Sequence, residues 1–367
     1  MTTVQTIPVE KIRNVHKVPE EELYTSGHRT CQGCESATVM RGFIKVAGPR
    51  TVVTGSTGCM YVANTAYMTT PWIVPWMHTQ LGAGGSSAVG MSAGLRALMR
   101  KGKIPQEKIN VISFCGDIGG ADMGLSGISS ALQSDYDLLI ILYDNESAAN
   151  TDIQATGMTT YGAQTTFTPT GKEHRIMQRR WKKNVAGMLA VGHPTCRYVA
   201  TACATYPPLD YLNKVQRALA IGGPTFIHSF DPCPKGWDYH PRYSHDVGEL
   251  GIRSGIFPLY EVVDGEVHYT YDARNPKKRT PVREYLMRQG RFAHLIAEDV
   301  DYIQRHVDEM WDEWEIPGVA PLKGVLKVGK QASTATVSVG TNGHDDGTAD
   351  AEDNGADGSA ADANGHA

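Results

Sequence analysis

The chain has 367 residues, 41% of them hydrophobic and 20% charged, which is enough to bury the core of one large domain or two modest ones. A formal net charge of −4 does not provide the basic surface that nucleic acid attracts, and no run of 18 apolar residues could cross a membrane. The N-terminus also lacks a signal-peptide pattern. We therefore expect a soluble, cytoplasmic protein without structural disulfides and without nucleic-acid or membrane partners.

The N-terminal 25 residues are polar and rich in proline and glutamate, which predicts an arm (1–25) that lies over a partner. From Arg50 onward, short apolar runs rich in β-branched residues alternate with helical stretches. Continuous apolar strands that alternate with helices predict a doubly wound, mostly parallel α/β sheet. The predicted strands are 51–54, 110–115, 138–143, 198–202 and 225–229, and the predicted helices are 86–100, 125–133 and 209–221.

The C-terminal part of the chain changes composition abruptly after about Val337, where Gly, Asp, Ala and Asn dominate. Such a segment contains too little apolar surface to offset the entropy lost on ordering, so we predict a disordered acidic tail at 338–367. We expect the tail to serve solubility, and docking of a basic electron carrier is the alternative. Residues 26–337 are then one cofactor-binding domain with a C-terminal extension.

Polar residues follow two of the predicted strands directly. One strand ends at Cys115 and runs into the loop 116–119, Gly-Asp-Ile-Gly, and the next strand ends just before Asn145. Ligands bind outside the carboxyl ends of strands in open α/β sheets, and glycines there let backbone N–H groups approach phosphate oxygens. Oxygens from Asp117 and Asn145 would suit Mg²⁺. The pattern predicts a diphosphate–magnesium site, although both residue types are also common in structural turns after strands.

The chain has seven cysteines, an odd number that points to metal ligation or core thiols in a reducing compartment. A C-x-x-C pair lets two thiolates reach one metal or cluster from a single turn, and a four-iron cluster needs four thiolates. Zinc is the alternative, but zinc sites mostly use two close pairs of ligands. The candidate thiolates are one pair and two single residues: Cys31 and Cys34, Cys59, and Cys233.

Other reactive side chains have both a structural and a functional interpretation. Cys115, Cys196 and Cys203 border apolar strands and are predicted to be core thiols, and His228 is predicted to be a core histidine with its hydrogen bonds satisfied. His78 precedes a glycine-rich stretch and could contact a diphosphate or serve structure alone. The basic run 175–183 predicts a solvated helix face, with a docking surface for ferredoxin or an acidic subunit as the alternative.

Five motifs occur in a fixed order along the chain: the C-x-x-C pair, Thr57-Gly-Cys59, the Gly-Asp loop, Asp144-Asn-Glu-Ser-Ala-Ala-Asn150-Thr151, and Pro232-Cys-Pro-Lys-Gly-Trp237. With these motifs the chain, over residues 24–315, resembles the thiamine-binding subunit of the 2-oxoacid:ferredoxin oxidoreductases, the pyruvate:ferredoxin oxidoreductase family. Two positions depart from the family pattern. Ile118 stands where glycine is usual, and Glu35 follows Cys34 directly instead of after one further residue, which leaves its role open.

The resemblance implies a set of cofactors and the residues that hold them. A [4Fe–4S] cluster would be bound by Cys31, Cys34, Cys59 and Cys233, and Mg²⁺ by Asp117, Asn145 and the carbonyl of Ser147. Asn150 is the implied catalytic residue, because it would face the reacting carbon of thiamine diphosphate. The implied contacts of that cofactor are Thr57, Gly58, His78, Gly116, Asp117, Ile118, Gly119, Asn145, Asn150 and Thr151.

The activity implied by the resemblance is CoA-dependent oxidative decarboxylation of a 2-oxoacid to acyl-CoA and CO₂, with electrons passing through the cluster to ferredoxin. Pyruvate is the expected substrate, and phenylglyoxylate or oxalate are alternatives. A non-redox thiamine-dependent decarboxylase would need no cluster, so the four thiolates argue against it. Since the glutamate that activates thiamine comes from another domain or subunit in this family, we expect an alpha subunit and further gamma and delta subunits as partners.

Overall fold

The computed structural model describes residues 10–65 and 69–312, so the predicted tail at 338–367 lies outside the described residues. Its centre is an eight-stranded sheet with the order β2-β1-β3-β4-β6-β5-β7-β8. The strands are β1 Thr51–Ser56, β2 Trp76–Thr79, β3 Asn110–Cys115, β4 Leu138–Asp144, β5 Tyr198–Ala202, β6 Pro224–Phe230, β7 Leu259–Val263 and β8 Glu266–Tyr271. The α-helices are α1 Glu35–Ala47, α2 Cys59–Ala63, α3 Gly84–Arg100, α4 Asp117–Ala121, α5 Leu125–Leu132, α6 Val185–Gly192, α7 Asp210–Ile221, α8 Pro234–Trp237, α9 Ser244–Arg253, α10 Val282–Leu286 and α11 Ala297–Asp312.

Helices cover both faces of the sheet, as strand β4 shows most clearly. Its residues are all buried, and they alternate between two apolar clusters. Leu139, Ile141 and Tyr143 pack in a cluster with residues of α1 and α7, whereas Leu138 and Ile140 pack with residues of α3, α5 and α6. Because strands β1 to β6 pair in parallel, the predicted doubly wound, mostly parallel α/β fold is confirmed.

The last two strands differ from the rest of the sheet. β7 pairs antiparallel with β5, and β8 pairs antiparallel with β7. The turn between them, Asp264-Gly265, has positive φ at both residues, which is the geometry of a two-residue hairpin. The sequence analysis predicted no strand after residue 229 and so missed this hairpin. An Asp-Gly pair after an apolar run is a signal that could have indicated it.

The helix predicted for the basic run 175–183 is wrong, because this segment is irregular. Its backbone bonds to a distant loop instead of to itself: the carbonyl of Gln178 accepts from Gly162 N–H, and Lys183 N–H donates to the Gly157 carbonyl. Lys182 also turns inward to buried carboxylates and not to solvent. Long-range hydrogen bonds and ion pairs therefore replace the helical ones that the charge pattern suggested.

The described part of the predicted N-terminal arm lies against this chain. Ile12 is buried, and its backbone exchanges hydrogen bonds of 2.8 and 3.1 Å with the Asn213 side chain of α7. Leu23 and Tyr24 belong to the same apolar cluster as α1. The boundary at residue 25 and a partner for the arm stay predictions. Each helix within 10–65 and 69–312 is too short or too polar to span a membrane.

Candidate active site

A cavity opens at the carboxyl ends of three neighbouring strands. Thr57 and Gly58 follow β1, the loop 116–119 follows β3, and residues 145–151 follow β4. Because parallel strands end at one edge of the sheet, loops that are far apart in sequence meet there. The predicted cofactor residues that line this cavity are Thr57, Gly58, Gly116, Asp117, Ile118, Gly119, Asn145, Asn150 and Thr151.

His78, the remaining predicted cofactor residue, does not line the cavity but contacts Thr57, which does. Its Nε2 lies 2.9 Å from the hydroxyl oxygen of Thr57, and its ring packs near Tyr61. Burial lowers the pKa of His78, so the ring is neutral near pH 7. His78 thus contacts Thr57, which lines the cavity, and its own contact with the cofactor stays a prediction.

Two glycines let the loops come close enough to form the cavity. A Cβ atom on Gly119 would lie 2.1 Å from the Ser56 hydroxyl oxygen and 2.8 Å from the Leu81 carbonyl oxygen. A Cβ atom on Gly58 would lie 2.4 Å from the Tyr143 hydroxyl. A larger residue at Gly119 would require the Ser56 side chain and the Leu81 backbone to shift, and one at Gly58 would require the buried Tyr143 ring to shift.

Asp117 is the carboxylate that faces the cavity. It is 3% exposed, and its partners are neutral: Oδ1 accepts the Asn145 N–H at 3.2 Å and Oδ2 accepts the Thr156 hydroxyl at 3.3 Å. Burial raises the pKa of Asp117 well above its usual range, and the nearby Asp144 raises it further. A buried carboxylate without a cation is costly, so this environment suits a bound metal ion.

Asn145 supplies a second oxygen beside Asp117. Its side-chain Oδ1 is buried and has no hydrogen-bond partner among the described residues, whereas its backbone carbonyl accepts the Trp237 indole N–H at 2.8 Å. The hydroxyl of Ser147, which also lines the cavity, is likewise buried without a partner. Leaving buried oxygens unpaired costs free energy, and a hard cation would satisfy them, so these residues fit Mg²⁺.

Basic side chains neutralise two further buried carboxylates near Asp117, those of Asp144 and Glu146. Lys182 Nζ lies 2.5 Å from Asp144 and 2.8 Å from Glu146, and Arg291 lies 2.7 Å from Glu146. His228 Nε2 lies 2.7 Å from Asp144, which confirms a buried histidine with a satisfied hydrogen bond. Although burial alone would raise the pKa of Asp144, Lys182 and His228 lower it. Among the described residues, Asp117 has no such basic partner and is the carboxylate that lines the cavity, so it is the one available to a metal there.

Three of the four predicted cluster cysteines stand at the starts of helices. Cys34 precedes α1, Cys59 begins α2 and also lines the cavity, and Cys233 precedes α8 and accepts the Gly236 N–H at 3.2 Å. Cys31 is exposed and the other three are partly buried. Burial raises the pKa of the Cys34 thiol to about 12, and the nearby Cys233 and Cys31 thiols raise it further.

The arrangement of these thiols does not match a site for one metal ion. Within 10–65 and 69–312, no three or more His, Cys, Asp or Glu side chains are grouped closely enough to hold one. The zinc hypothesis gains no support from this, and the [4Fe–4S] hypothesis stays a prediction. Cys115 and Cys203 are buried in the core, and Cys196 is partly buried, in agreement with the interpretation as core thiols.

Glu35 is buried beside Cys34 but does not line the cavity. Its Oε1 lies 3.9 Å from His245 Nδ1, and its Oε2 has no hydrogen-bond partner among the described residues. Burial raises the pKa of Glu35 above its usual value. In the described part of the chain, Glu35 is therefore a neighbour of the cysteine region and not a wall of the cavity.

Sequence reasoning missed three residues that support the site: Trp237, Lys182 and Arg291. Trp237 carried a signal, since it ends the Pro-Cys-Pro-Lys-Gly-Trp motif. Lys182 stands out in the sequence only as one member of a charged run. Arg291 follows a weakly patterned region, and nothing in the sequence near it indicates that it pairs with Glu146.

Comparisons with known proteins show which proteins this chain is similar to. The family described as "Thiamine pyrophosphate enzyme, C-terminal TPP binding domain" matches residues 56–229. A pyruvate synthase subunit PorB from Methanocaldococcus jannaschii is 45% identical over 296 residues, covering 80% of this chain and 97% of that protein. PorB from Methanothermobacter thermautotrophicus is 41% identical over 301 residues, covering 82% of this chain and 100% of that protein. The ketoisovalerate oxidoreductase subunit VorB from Pyrococcus horikoshii is 36% identical over 304 residues, covering 83% of this chain and 96% of that protein.

Proposed function

Because the chain belongs to the 2-oxoacid:ferredoxin oxidoreductase family, we propose that it is the beta subunit of a pyruvate synthase. The reaction is the CoA-dependent oxidative decarboxylation of pyruvate to acetyl-CoA and CO₂, with two electrons leaving for ferredoxin. One observation carries the proposal: nine of the ten residues predicted to bind the cofactor line a single cavity, and the side-chain oxygen of Asn145 there has no hydrogen-bond partner among the described residues. We also propose a cytoplasmic location, where cysteines stay reduced and can bind a cluster.

The cavity residues have separate roles in holding thiamine diphosphate. Asp117, the Asn145 side chain and the Ser147 carbonyl would hold Mg²⁺, and the backbone at Gly58 and 116–119 would face the diphosphate. When bound, thiamine diphosphate supplies the electron sink for decarboxylation. Ile118, where the family usually has glycine, adds an apolar side chain to the wall. Asn150 is exposed at the cavity and is the candidate for contact with the substrate carbonyl.

Cys59 connects the proposed cluster site with the cofactor cavity, because it is one of the residues that line this cavity. With Cys31, Cys34 and Cys233, it is proposed to bind a [4Fe–4S] cluster. A cluster held there would accept electrons one at a time from the decarboxylated substrate. Because Thr57 and Cys59 stand two residues apart, the same loop would contact both cofactors. This supports a redox enzyme over a non-redox decarboxylase.

Partner subunits are needed to complete the reaction. The described cavity wall contains no glutamate and no histidine that could serve as an acid–base group for thiamine. We propose that an alpha subunit provides such a group together with the CoA site, and that gamma or delta subunits carry electrons onward to ferredoxin. The subunit alone is expected to bind cofactors without turnover.

A branched-chain 2-oxoacid is the second candidate substrate. The VorB relatives, named for ketoisovalerate, are 36% identical to this chain, compared with 45% for the PorB of Methanocaldococcus jannaschii. Initial rates with pyruvate and with ketoisovalerate, measured with CoA and a viologen acceptor, separate the two. A higher kcat/KM for pyruvate is expected, and a preference for ketoisovalerate would assign the enzyme to the second branch.

The first test is the cofactor content of the enzyme, purified anaerobically with its partner subunits. About four iron and four sulfide with one thiamine diphosphate per beta subunit are expected, beyond any iron assigned to the other subunits. Cys233→Ala should lose iron and the cluster absorbance, whereas the control Cys196→Ala should keep both. Zinc without iron, or thiamine without a cluster, would rule out the redox assignment.

A further inference from the structure

We propose that Glu146 is a positioning residue: its carboxylate, clamped between Lys182 and Arg291, fixes the turn that presents Asn145 and Ser147 to the magnesium site. The inference rests on the proposed function. Glu146 stands between two proposed metal ligands but does not itself line the cavity. Its backbone has φ of 61°, a left-handed conformation that residues other than glycine adopt rarely and that must be held by its surroundings.

The carboxylate of Glu146 accepts hydrogen bonds from Lys182 and Thr160 and forms an ion pair with Arg291. Lys182 Nζ and the Thr160 hydroxyl lie 2.8 and 2.7 Å from Oε1, and Arg291 Nη2 lies 2.7 Å from Oε2. The Glu146 and Arg291 side chains are 2% and 3% exposed, so water screens this ion pair little. The Glu146 backbone carbonyl accepts the Thr159 hydroxyl at 2.7 Å. Side chain and backbone of one residue are thus fixed together.

The same turn sets the position of the proposed metal ligands. The N–H groups of Asn145 and Glu146 donate to Asp117 Oδ1 at 3.2 Å and to Asp144 Oδ1 at 2.9 Å. Lys182 neutralises both Asp144 and Glu146, so it holds the two ends of this turn at once. Loss of the clamp would let the turn relax and would move the Asn145 oxygen away from Asp117. The expected consequence is weaker binding of Mg²⁺ and diphosphate.

Four variants of the enzyme with its partner subunits test the proposal, with affinity for thiamine diphosphate measured calorimetrically across a Mg²⁺ series. Glu146→Gln and Lys182→Met should each weaken binding at least about tenfold, and Lys182→Arg should restore most of it. Thr160→Val removes one neutral donor and should weaken binding about threefold, without a change of charge. The thermal midpoint of each variant is measured in parallel.

Lys214→Met is the matched control. Lys214 is 2% exposed and pairs with Asp210 at 2.7 Å on α7, outside the residues that line the cavity. It should lower the thermal midpoint and leave the affinity unchanged.

Three outcomes separate the proposal from its alternatives. Reduced affinity in Glu146→Gln and Thr160→Val, with recovery in Lys182→Arg, supports a positioning role. If these variants lose stability as Lys214→Met does but bind thiamine diphosphate like wild type, the role is structural only and the inference is overturned. If Glu146→Gln does not fold, unchanged affinity in Thr160→Val overturns it equally. Failure of the wild-type enzyme to bind thiamine diphosphate with Mg²⁺ would instead refute the proposed function.

Discussion

The backbones of helices α3 and α5 are in contact at Gly85, so we expect a larger residue at this position to destabilise the protein. A Cβ atom on Gly85 would lie 2.4 Å from the carbonyl carbon and oxygen of Gly127 and 2.6 Å from the nitrogen of Ile128. An ordinary contact is about 3.5 Å, so Gly85→Ala must drive the helices apart by about 1 Å. Backbone atoms cannot rotate away, and we expect a loss near the upper end for overpacking, about 3 kcal/mol.

Gly90, on the same helix, provides the matched control. A Cβ atom on Gly90 would meet no heavy atom of the described residues within 4 Å, so Gly90→Ala adds a methyl group in open space. Alanine is favoured over glycine inside a helix by about 0.5–1 kcal/mol, so this variant should be more stable than wild type. The same chemical change is therefore expected to have opposite signs at two positions of α3.

Thermal unfolding followed by circular dichroism measures both variants. For a domain of this size, about 1 kcal/mol shifts the midpoint by about 2–4 °C, so Gly85→Ala should melt about 6–12 °C lower and Gly90→Ala about 1–4 °C higher. A Cβ atom on Gly124, just before α5, would lie 1.9 Å from the carbonyl oxygen of Gly119 in the cavity loop. Moving α5 should therefore also weaken thiamine diphosphate binding in Gly85→Ala. Equal midpoints for the two variants would refute the role assigned to the α3–α5 contact.

Three further perturbations address the site and the N-terminal segment. Asp117→Asn removes the cavity carboxylate and should weaken Mg²⁺-dependent cofactor binding by about 100-fold in a calorimetric titration; an affinity within threefold of wild type would exclude Asp117 as a ligand. Trp237→Phe keeps an aromatic ring but leaves the buried Asn145 carbonyl without its indole donor, so urea unfolding should show a loss of about 1–3 kcal/mol. A stability equal to wild type would mean that this bond contributes nothing. Hydrogen bonding to Arg41 lowers the pKa of Glu22 to about 2. The ionised Glu22 side chain therefore contributes to the free energy of unfolding above pH 4.5, and this contribution is lost as the pH falls toward 2. The stability difference between wild type and Glu22→Gln should shrink over that range, and a difference that grows toward low pH would contradict the assignment.

The sheet edge that carries the site could be predicted because topology decides it. Continuous apolar runs at 110–115 and 138–143 indicate buried parallel strands, and the residues after such strands meet at one edge whatever the helices between them do. The observed β3 is identical in its bounds to the prediction, and β4 extends one residue further, to Asp144. The convergence of Asp117 and Asn145 follows from that pairing alone.

The side chains that support the site from behind could not be predicted in this way. Lys182 and Arg291 reach Glu146 from segments whose positions depend on packing over long sequence separations. The charge pattern around Lys182 even favoured a helix, whereas hydrogen bonds to the 157–162 loop determine its actual backbone. Local patterns carry information about neighbours along the chain, and these contacts join residues more than 30 positions apart.

The β7–β8 hairpin offers a place to attach the enzyme to an electrode. β8 is four strands from β4, about 19 Å at the usual spacing. The start of β5 pairs with the end of β7, so the Asp264-Gly265 turn lies at the edge of the sheet opposite the cavity. A short affinity peptide inserted at this turn would fix the molecule with its cavity facing outward. The catalytic current of enzyme attached to an electrode through this peptide could then be compared with the current of enzyme adsorbed in random orientations.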